Sequence, residues 1–149
     1  MSINLNLGCG LDIREGWINH DIVKHNKHVN KIWDLNNTPW PWGENTIDTI
    51  DAISVFEHLK LTLIETLNEC WRILKPTGYL HIKYPLNISV FIREDPTHRW
   101  FWGEHVTDFV DPTTKYGKGA PYYTTFKWKI LDKKTSERNC WVRLQPIGK

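Results

Sequence analysis

Cysteine is scarce in this chain. Cys9, Cys70 and Cys140 stand far apart and form no C-x-x-C pair. That spacing offers no zinc knuckle and no disulfide framework, so reduced thiols and a cytoplasmic location are expected. An excess of one charge is missing too. Nineteen Lys and Arg against 17 Asp and Glu leave a net charge of +2, too little to point to nucleic acid. No apolar run reaches the ~18 residues of a membrane span, and no basic stretch leads into an apolar one at the N-terminus. Neither a transmembrane helix nor a signal peptide is expected. Internal repeats, linkers and low-complexity segments are also absent. At 149 residues, one domain over 1–149 is expected, large enough for a real core. What the chain has in excess is tryptophan, nine residues. Trp33 and Trp71 sit among apolar neighbours and read as core. Trp40, Trp42, Trp100 and Trp102 sit in Pro- or Gly-flanked stretches. Plugging the rim of a small core is favoured there over stacking on a ligand.

Residues 3–7 alternate apolar and polar, the period of a strand. The stretch Leu5-Asn6-Leu7-Gly8-Cys9-Gly10 then runs into two glycines, which let the backbone turn sharply and approach a ligand closely. Alone, this pattern fits a plain strand-ending turn equally well. Further short strands are expected at 17–22, 29–35 and 47–56, with a Pro/Gly/Asn-rich loop over 36–43. Residues 62–75 form the clearest helix. Leu63, Ile64, Leu67, Trp71 and Leu74 recur at helical spacing, Thr62 and Glu65 read as a capping box, and Pro76 ends it. A fifth strand follows over 79–84. Residues 86–125 read as irregular, with one or two helical turns near 103–109. The strictly alternating segments 126–130 and 140–144 form an antiparallel hairpin. Short helices are expected between the early strands. The order predicts an α/β fold, a Rossmann-like, mostly parallel sheet with a C-terminal antiparallel hairpin.

Four stretches in order carry a resemblance to a family. They are the glycine run 5–10, Trp17-Ile18-Asn19-His20-Asp21-Ile22, the pair Ile47–Ile50 and Ser54–Leu59, and Glu69–Leu80 with its Lys75-Pro76-Thr77-Gly78 core. The chain resembles the class I S-adenosylmethionine-dependent methyltransferases. It is most similar to a small type-11-like subgroup in which the glycine motif runs almost directly into a Gly-Trp-Ile-Asn-x-Asp strand. The resemblance implies S-adenosylmethionine as cofactor. It gives Gly8 and Gly10 the role of leaving room for the methionine part, and Asp21 that of accepting the ribose hydroxyls. Asp34 with the backbone of Leu35 would contact adenine, while Ser54 and Val55 would floor the site under the sulfonium. Cys9 stands where the family carries a small packing residue. Asn6 stands where the family usually has an acid linked to the cofactor's amino group.

One departure has a structural consequence. Asp21 follows Gly10 by only 11 residues, where a dinucleotide-type fingerprint has about 20. The first crossover helix must be shortened or absent. One sheet face, carrying Asn4, Asn6, Tyr79, His81 and Lys83, should then be thinly covered and met by solvent, a second copy or a partner chain.

Methyl transfer is an in-line displacement in which the protein aligns the acceptor, excludes water and, for a hydroxyl or a protonated amine, removes a proton. His98, in Asp95-Pro96-Thr97-His98-Arg99-Trp100, is the first candidate base, and His58, beside Glu57, the second. Holding a loop (His98) and orienting the following helix (Glu57-His58) are the competing roles. His20, His25 and His28 lack matched carboxylate or cysteine ligands, so no metal site is expected. The residues after the fourth strand, Ser54-Val55-Phe56-Glu57, are not the Asn/Asp-Pro-Pro-aromatic run of enzymes that methylate base amines. No cysteine is placed for cytosine C5 chemistry, and the Lys127, Lys129 and Arg143 stripe reads as edge protection. A small-molecule or saccharide acceptor is expected, with nucleic acid disfavoured. The alternative is a non-catalytic, methyltransferase-like subunit that scaffolds or activates a partner.

Overall fold

Five strands are laid down first: β1 (Asn4–Leu7), β2 (Ile18–Asp21), β3 (Lys31–Ile32), β4 (Ile47–Ile53) and β5 (Leu74–Pro85). They are mutually parallel. The chain closes with β6 (Lys127–Thr135) and β7 (Asn139–Ile147), antiparallel to each other, with β7 antiparallel to β5. Together they make a seven-stranded sheet ordered β3-β2-β1-β4-β5-β7-β6. The computed structural model describes residues 1–149, the side chain of Phe91 excepted. The mostly parallel sheet with its terminal hairpin is the expected one.

The connections differ from expectation. Residues 8–17, 22–30 and 33–46 contain turns and bends but no helix. The short helices expected between the early strands are absent, the first crossover helix included. Residues 22–30 (Ile-Val-Lys-His-Asn-Lys-His-Val-Asn) have no apolar repeat at helical spacing to bury, and Pro39, Pro41 and Gly43 break the third connection. β3 also shrinks to two residues from the expected 29–35.

Helix α1 (Leu63–Ile73) begins at the expected capping box. The Glu65 N–H donates to Thr62 Oγ1 at 3.2 Å, and the Thr62 N–H donates to Glu65 Oε2 at 2.7 Å. It ends two residues before Lys75, because Pro76 drives the preceding residue out of the helical region and Leu74 already pairs with Ile47 in the sheet. A second, five-residue helix, α2 (Lys115–Gly119), follows a 3-10 turn over Val106–Val110.

The inward face of α1 (Leu63, Leu67, Cys70, Ile73) packs on one face of the sheet (Leu5, Leu7, Ile50, Ala52, Leu80, Ile82, Val142, Leu144), and Phe56 and Val110 join the same core. Trp40, only 2% exposed, belongs to this core rather than to its rim. Its indole N–H donates to the Leu35 carbonyl at 2.9 Å. Trp33 and Trp71 pack against the core as partly buried residues.

The opposite face is thinly covered, as the short crossover predicts. Asn4, Tyr79, His81 and Lys83 are half-buried, and Trp141 and Arg143 are exposed, but Asn6, expected on the thinly covered face, is buried. Its cover is the 11–17 loop. There the Asn6 side chain donates to the Asp12 carbonyl at 2.7 Å, and Arg14 pairs with Asp51 while lying over the Trp17 ring. Arg143 does not share an edge stripe with Lys127 and Lys129. It lies on β7, inside the sheet, with its guanidinium 4.5 Å from the Tyr79 ring centroid.

Candidate active site

A cavity of about 270 Å³ opens at the carboxyl ends of β1, β2 and β4. This is at the lower edge of the ~300–1,000 Å³ common for ligand pockets, and a shallow seat is what a fold without its first helices leaves. Gly8 forms its inner wall with φ +56°. A Cβ there would lie 2.6 Å from Val55 Cγ2, so Val55 and the glycine backbone occupy the space of a side chain. His20 locks this turn to β2. Its Nδ1 accepts the Gly8 N–H at 3.2 Å, and its Nε2–H donates to the Trp33 carbonyl at 2.9 Å. Burial lowers the pKa of this imidazole, against the pull of the Trp33 carbonyl and Asp21. The neutral tautomer is thereby held in place.

Asp21 lines the same cavity. One carboxylate oxygen accepts the Gly10 N–H at 2.9 Å and the other the Ile22 N–H at 2.7 Å. Burial pushes its pKa up, but those two N–H groups and His25 outweigh burial and leave it below the usual carboxylate value. Oδ1 keeps a lone pair for a ligand, while Oδ2 also faces His25 Nε2 at 3.5 Å. Across the cavity stand Asp34, which accepts the Asn36 N–H at 2.9 Å, and Leu35. The floor is Ser54 and Val55, with Ser54 at φ +58°, a sparsely populated region for a non-glycine residue.

Gly8, Asp21, Asp34, Leu35, Ser54, Val55 and His58 are thus brought together around one cavity. Asn6, Cys9, Gly10 and His98 are not among its lining residues. Asn6 faces the opposite side of the sheet, held by Asp12 and by Asn19 Oδ1 at 3.1 Å. Cys9 is buried and donates its N–H to the His20 carbonyl at 2.8 Å. Gly10 faces the Asp21 carboxylate. His20, His25 and His28 do not converge: His20 is buried against Trp42, while His25 and His28 are exposed. His20 was the residue least visible in the sequence. Its only signal is a histidine beside the expected ribose acid.

On the outer side of the cavity, Glu57, His58 and His98 form a cluster. Their imidazole centroids are 4.7 Å apart. His58 Nδ1 meets Thr97 Oγ1 at 2.8 Å, and that hydroxyl donates to Asp95 Oδ1 at 2.6 Å. His98 Nδ1 donates to the Ile92 carbonyl at 2.7 Å. The backbone locks the two segments together. The Arg99 and Trp100 N–H groups donate to the Glu57 carbonyl at 2.8 and 3.2 Å, and the Trp100 indole donates to the Leu59 carbonyl at 2.8 Å. Glu57 is 1% exposed, and neither carboxylate oxygen has a hydrogen-bond partner among the described residues. Burial pushes its pKa up to about 7. Burial and then His98 lower that of His58.

An open parallel sheet with a glycine turn at the end of its first strand and an acid at the end of its second defines a Rossmann-like fold built for a nucleoside-bearing ligand. The family model of the methyltransferase domain matches residues 5–82. The chain belongs to this family, among the class I S-adenosylmethionine-dependent methyltransferases of type 11, and its cofactor is S-adenosylmethionine. Solved structures agree in fold. A SAM-dependent methyltransferase from Archaeoglobus fulgidus superposes with a TM-score of 0.67 at 15% identity, covering 97% of this chain and 86% of that one. One from Aquifex aeolicus gives 0.61 at 15% identity over 98% and 82%. A structure of the Haloferax volcanii Trm112 methyltransferase activator in complex with a methyltransferase gives 0.63 at 11% identity over 97% and 82%. Among curated proteins, no sequence relative is detected. The residues fit the cofactor: a glycine wall with no room for a Cβ, a carboxylate lone pair on Asp21 Oδ1, and an apolar floor at Val55.

Proposed function

We propose that the chain methylates a hydroxyl of a small molecule or saccharide, with the acceptor entering past His58 and His98. The observation that carries this reading is His58 itself, which lines the cofactor cavity on one side and the His98 depression on the other. The cofactor supplies an electrophilic methyl group on a sulfonium. Asp21 holds the ribose diol, Asp34 and the Leu35 backbone face adenine, and Ser54 with Val55 supports the sulfonium end. Asn6 acts indirectly by bracing the 11–17 loop. Gly8, Cys9 and Gly10 shape the turn. The acceptor proton leaves at the His58/His98 cluster as the new carbon–oxygen bond forms. Three free, buried cysteines fit a reducing cytoplasm, and among the described residues no helix is long and apolar enough to cross a membrane.

Calorimetry with S-adenosylhomocysteine tests the cofactor seat. Binding at one per chain is expected, weakened at least ~10-fold by Asp21→Ala through loss of charge-assisted hydrogen bonds. No heat at millimolar ligand overturns the reading. Labelled methyl transfer to a panel of sugars and sugar nucleotides, compared with RNA and DNA, tests the acceptor. Label found in nucleic acid alone would refute a small acceptor.

A second reading, a subunit that scaffolds a partner, is favoured by the thinly covered sheet face. The occupant we propose is a second copy of this chain, because the face mixes Asp51 and Asp132 with His81 and Arg143 and so can complement itself. Light scattering decides the occupant: a monomer at all concentrations would remove the second copy.

A further inference from the structure

Three acceptor groups point at one another beside the cofactor cavity: with Glu57 ionised and both imidazoles neutral, none has a proton to offer the others. His98 donates Nδ1–H to the Ile92 carbonyl, so its Nε2 carries a lone pair. The Thr97 hydroxyl spends its proton on Asp95 and so accepts from His58 Nδ1–H, which leaves His58 Nε2 with a lone pair as well. Both Nε2 atoms face the Glu57 carboxylate, at 3.7 Å from His58 and 4.0 Å from His98. Neither separation is a hydrogen bond. The ligand atoms of all three residues lie within 4.8 Å of one another. Glu57 is 1% exposed, and both its oxygens are unpartnered among the described residues. Buried acceptors facing each other without a donor are costly, and a cation between them removes the cost.

We propose that Glu57, His58 and His98 bind a divalent transition-metal ion, and that this ion takes the oxygen of the methyl acceptor as a further ligand. The first half stands on geometry alone; the second rests on the methyl-transfer reading. Two imidazole nitrogens and one carboxylate suit zinc, iron(II), cobalt(II) or manganese(II) better than magnesium or calcium, which prefer oxygen shells. In a tetrahedral shell with bonds of ~2.0–2.2 Å, ligand atoms sit roughly 3.3 Å apart, so closing the site draws atoms that lie within 4.8 Å of one another together by about 1.5 Å at most. The partners of both Nδ1 atoms are those that fix a metal-binding imidazole in its required tautomer. The outer depression, lined by His58, Thr97, His98 and Arg99, leaves an approach for acceptor and water.

The chemistry balances without another reagent. A hydroxyl bound to the ion releases its proton to solvent. Its oxygen forms a bond to the methyl carbon while the carbon–sulfur bond breaks, and that electron pair stays on sulfur. The products are a methyl ether, a neutral thioether and a proton. His58 and His98 then serve as ligands, and the ion, rather than either imidazole, prepares the nucleophile.

Cobalt(II) titration of the metal-stripped full chain, read by visible d–d absorption and calorimetry, tests the site. One cobalt per chain is expected, displaced by zinc. Glu57→Gln and His98→Asn should each weaken uptake on the order of 100-fold, and Thr97→Val about 10-fold. Circular dichroism and S-adenosylhomocysteine binding report that each variant is folded. Failure of cobalt, zinc and manganese to bind at millimolar concentration, in protein that binds S-adenosylhomocysteine, overturns the site and leaves methyl transfer standing. Uptake unchanged in Glu57→Gln and His98→Asn overturns it equally. Stoichiometric uptake by protein that does not bind S-adenosylhomocysteine supports the site and defeats the methyl-transfer reading instead.

Discussion

Gly8 and Gly10 read alike in the motif, but the structure asks different things of them. Both have positive φ, +56° and +51°. A Cβ at Gly8 would strike Val55, while one at Gly10 meets nothing within 4 Å. Gly10→Ala should therefore lose only the backbone term, about 1–2 kcal/mol. Gly8→Ala adds overpacking, for a total of roughly 2–5 kcal/mol, and displaces Val55 from the cavity floor. Urea unfolding of the two variants side by side checks this, with S-adenosylhomocysteine affinity falling more for Gly8→Ala. His20 makes the same turn sensitive to pH. Its folded pKa lies below the unfolded value of about 6.5, so the unfolded chain takes up a proton first as pH falls. Its contribution is full above pH ~6.5 and is lost as pH drops from there to the depressed folded value. Glu57, its pKa raised to about 7, changes stability in the opposite sense over the same range, so the His20 effect is read as a difference: the urea midpoint of the native chain relative to His20→Gln should fall between pH 7.5 and 5.5. Asp21 and Asp51, both below their ordinary values, act in a separate window and lose their contributions below about pH 4.

Among the elements, α1 does more than cover the sheet. Arg72 in its last turn donates to the Trp40 and Trp42 carbonyls at 3.0 and 2.9 Å. It also pairs with Glu69, which accepts the Trp40 N–H at 2.6 Å. Trp40 in turn holds the Leu35 carbonyl, and Leu35 lines the cavity. The helix thus reaches the adenine side of the site through a loop. Arg72→Met should cost about 1–2 kcal/mol after allowing for partial exposure, and should weaken S-adenosylhomocysteine binding several-fold. Thermal unfolding and calorimetry read the two effects. The helix itself was legible from its repeat and its cap, and so were β1 and the hairpin. The role of Trp40 was not, because nothing in Pro-Trp-Pro-Trp shows that a charged pair 29–32 residues away will fasten the loop inward. In the site, Gly8, Asp21, Asp34, Leu35, Ser54 and Val55 could be nominated because each follows a recognisable strand. The tautomers of His20, His58 and His98 could not, since each is set by a carbonyl or hydroxyl distant in sequence.

At the scale of the molecule, the sheet is uneven. From β4 to β6 it is long-stranded and backed by α1 and the 3-10 turns. From β1 to β3 it is made of strands of four, four and two residues joined without helices. Amide hydrogen exchange should show the difference: protection in β2 and β3 well below that in β4, β5 and β7, rising when S-adenosylhomocysteine is added. The short first crossover was the one whole-molecule feature that the spacing of Gly10 and Asp21 announced. The loss of the next two helices was marked less directly, by the lack of an apolar helical repeat over 22–30 and by Pro39, Pro41 and Gly43 in the third connection.

The helix-free connections also govern how tightly the cavity can hold anything. Gly8, Asp21 and Asp34 all belong to the sparsely backed half of the sheet, so they are in place only in the fraction of molecules where that half is closed. Measured affinity is the intrinsic affinity multiplied by that fraction. Binding is then inseparable from local folding, and a substitution that stiffens residues 23–30, outside the cavity lining, tightens cofactor binding without touching the ligand.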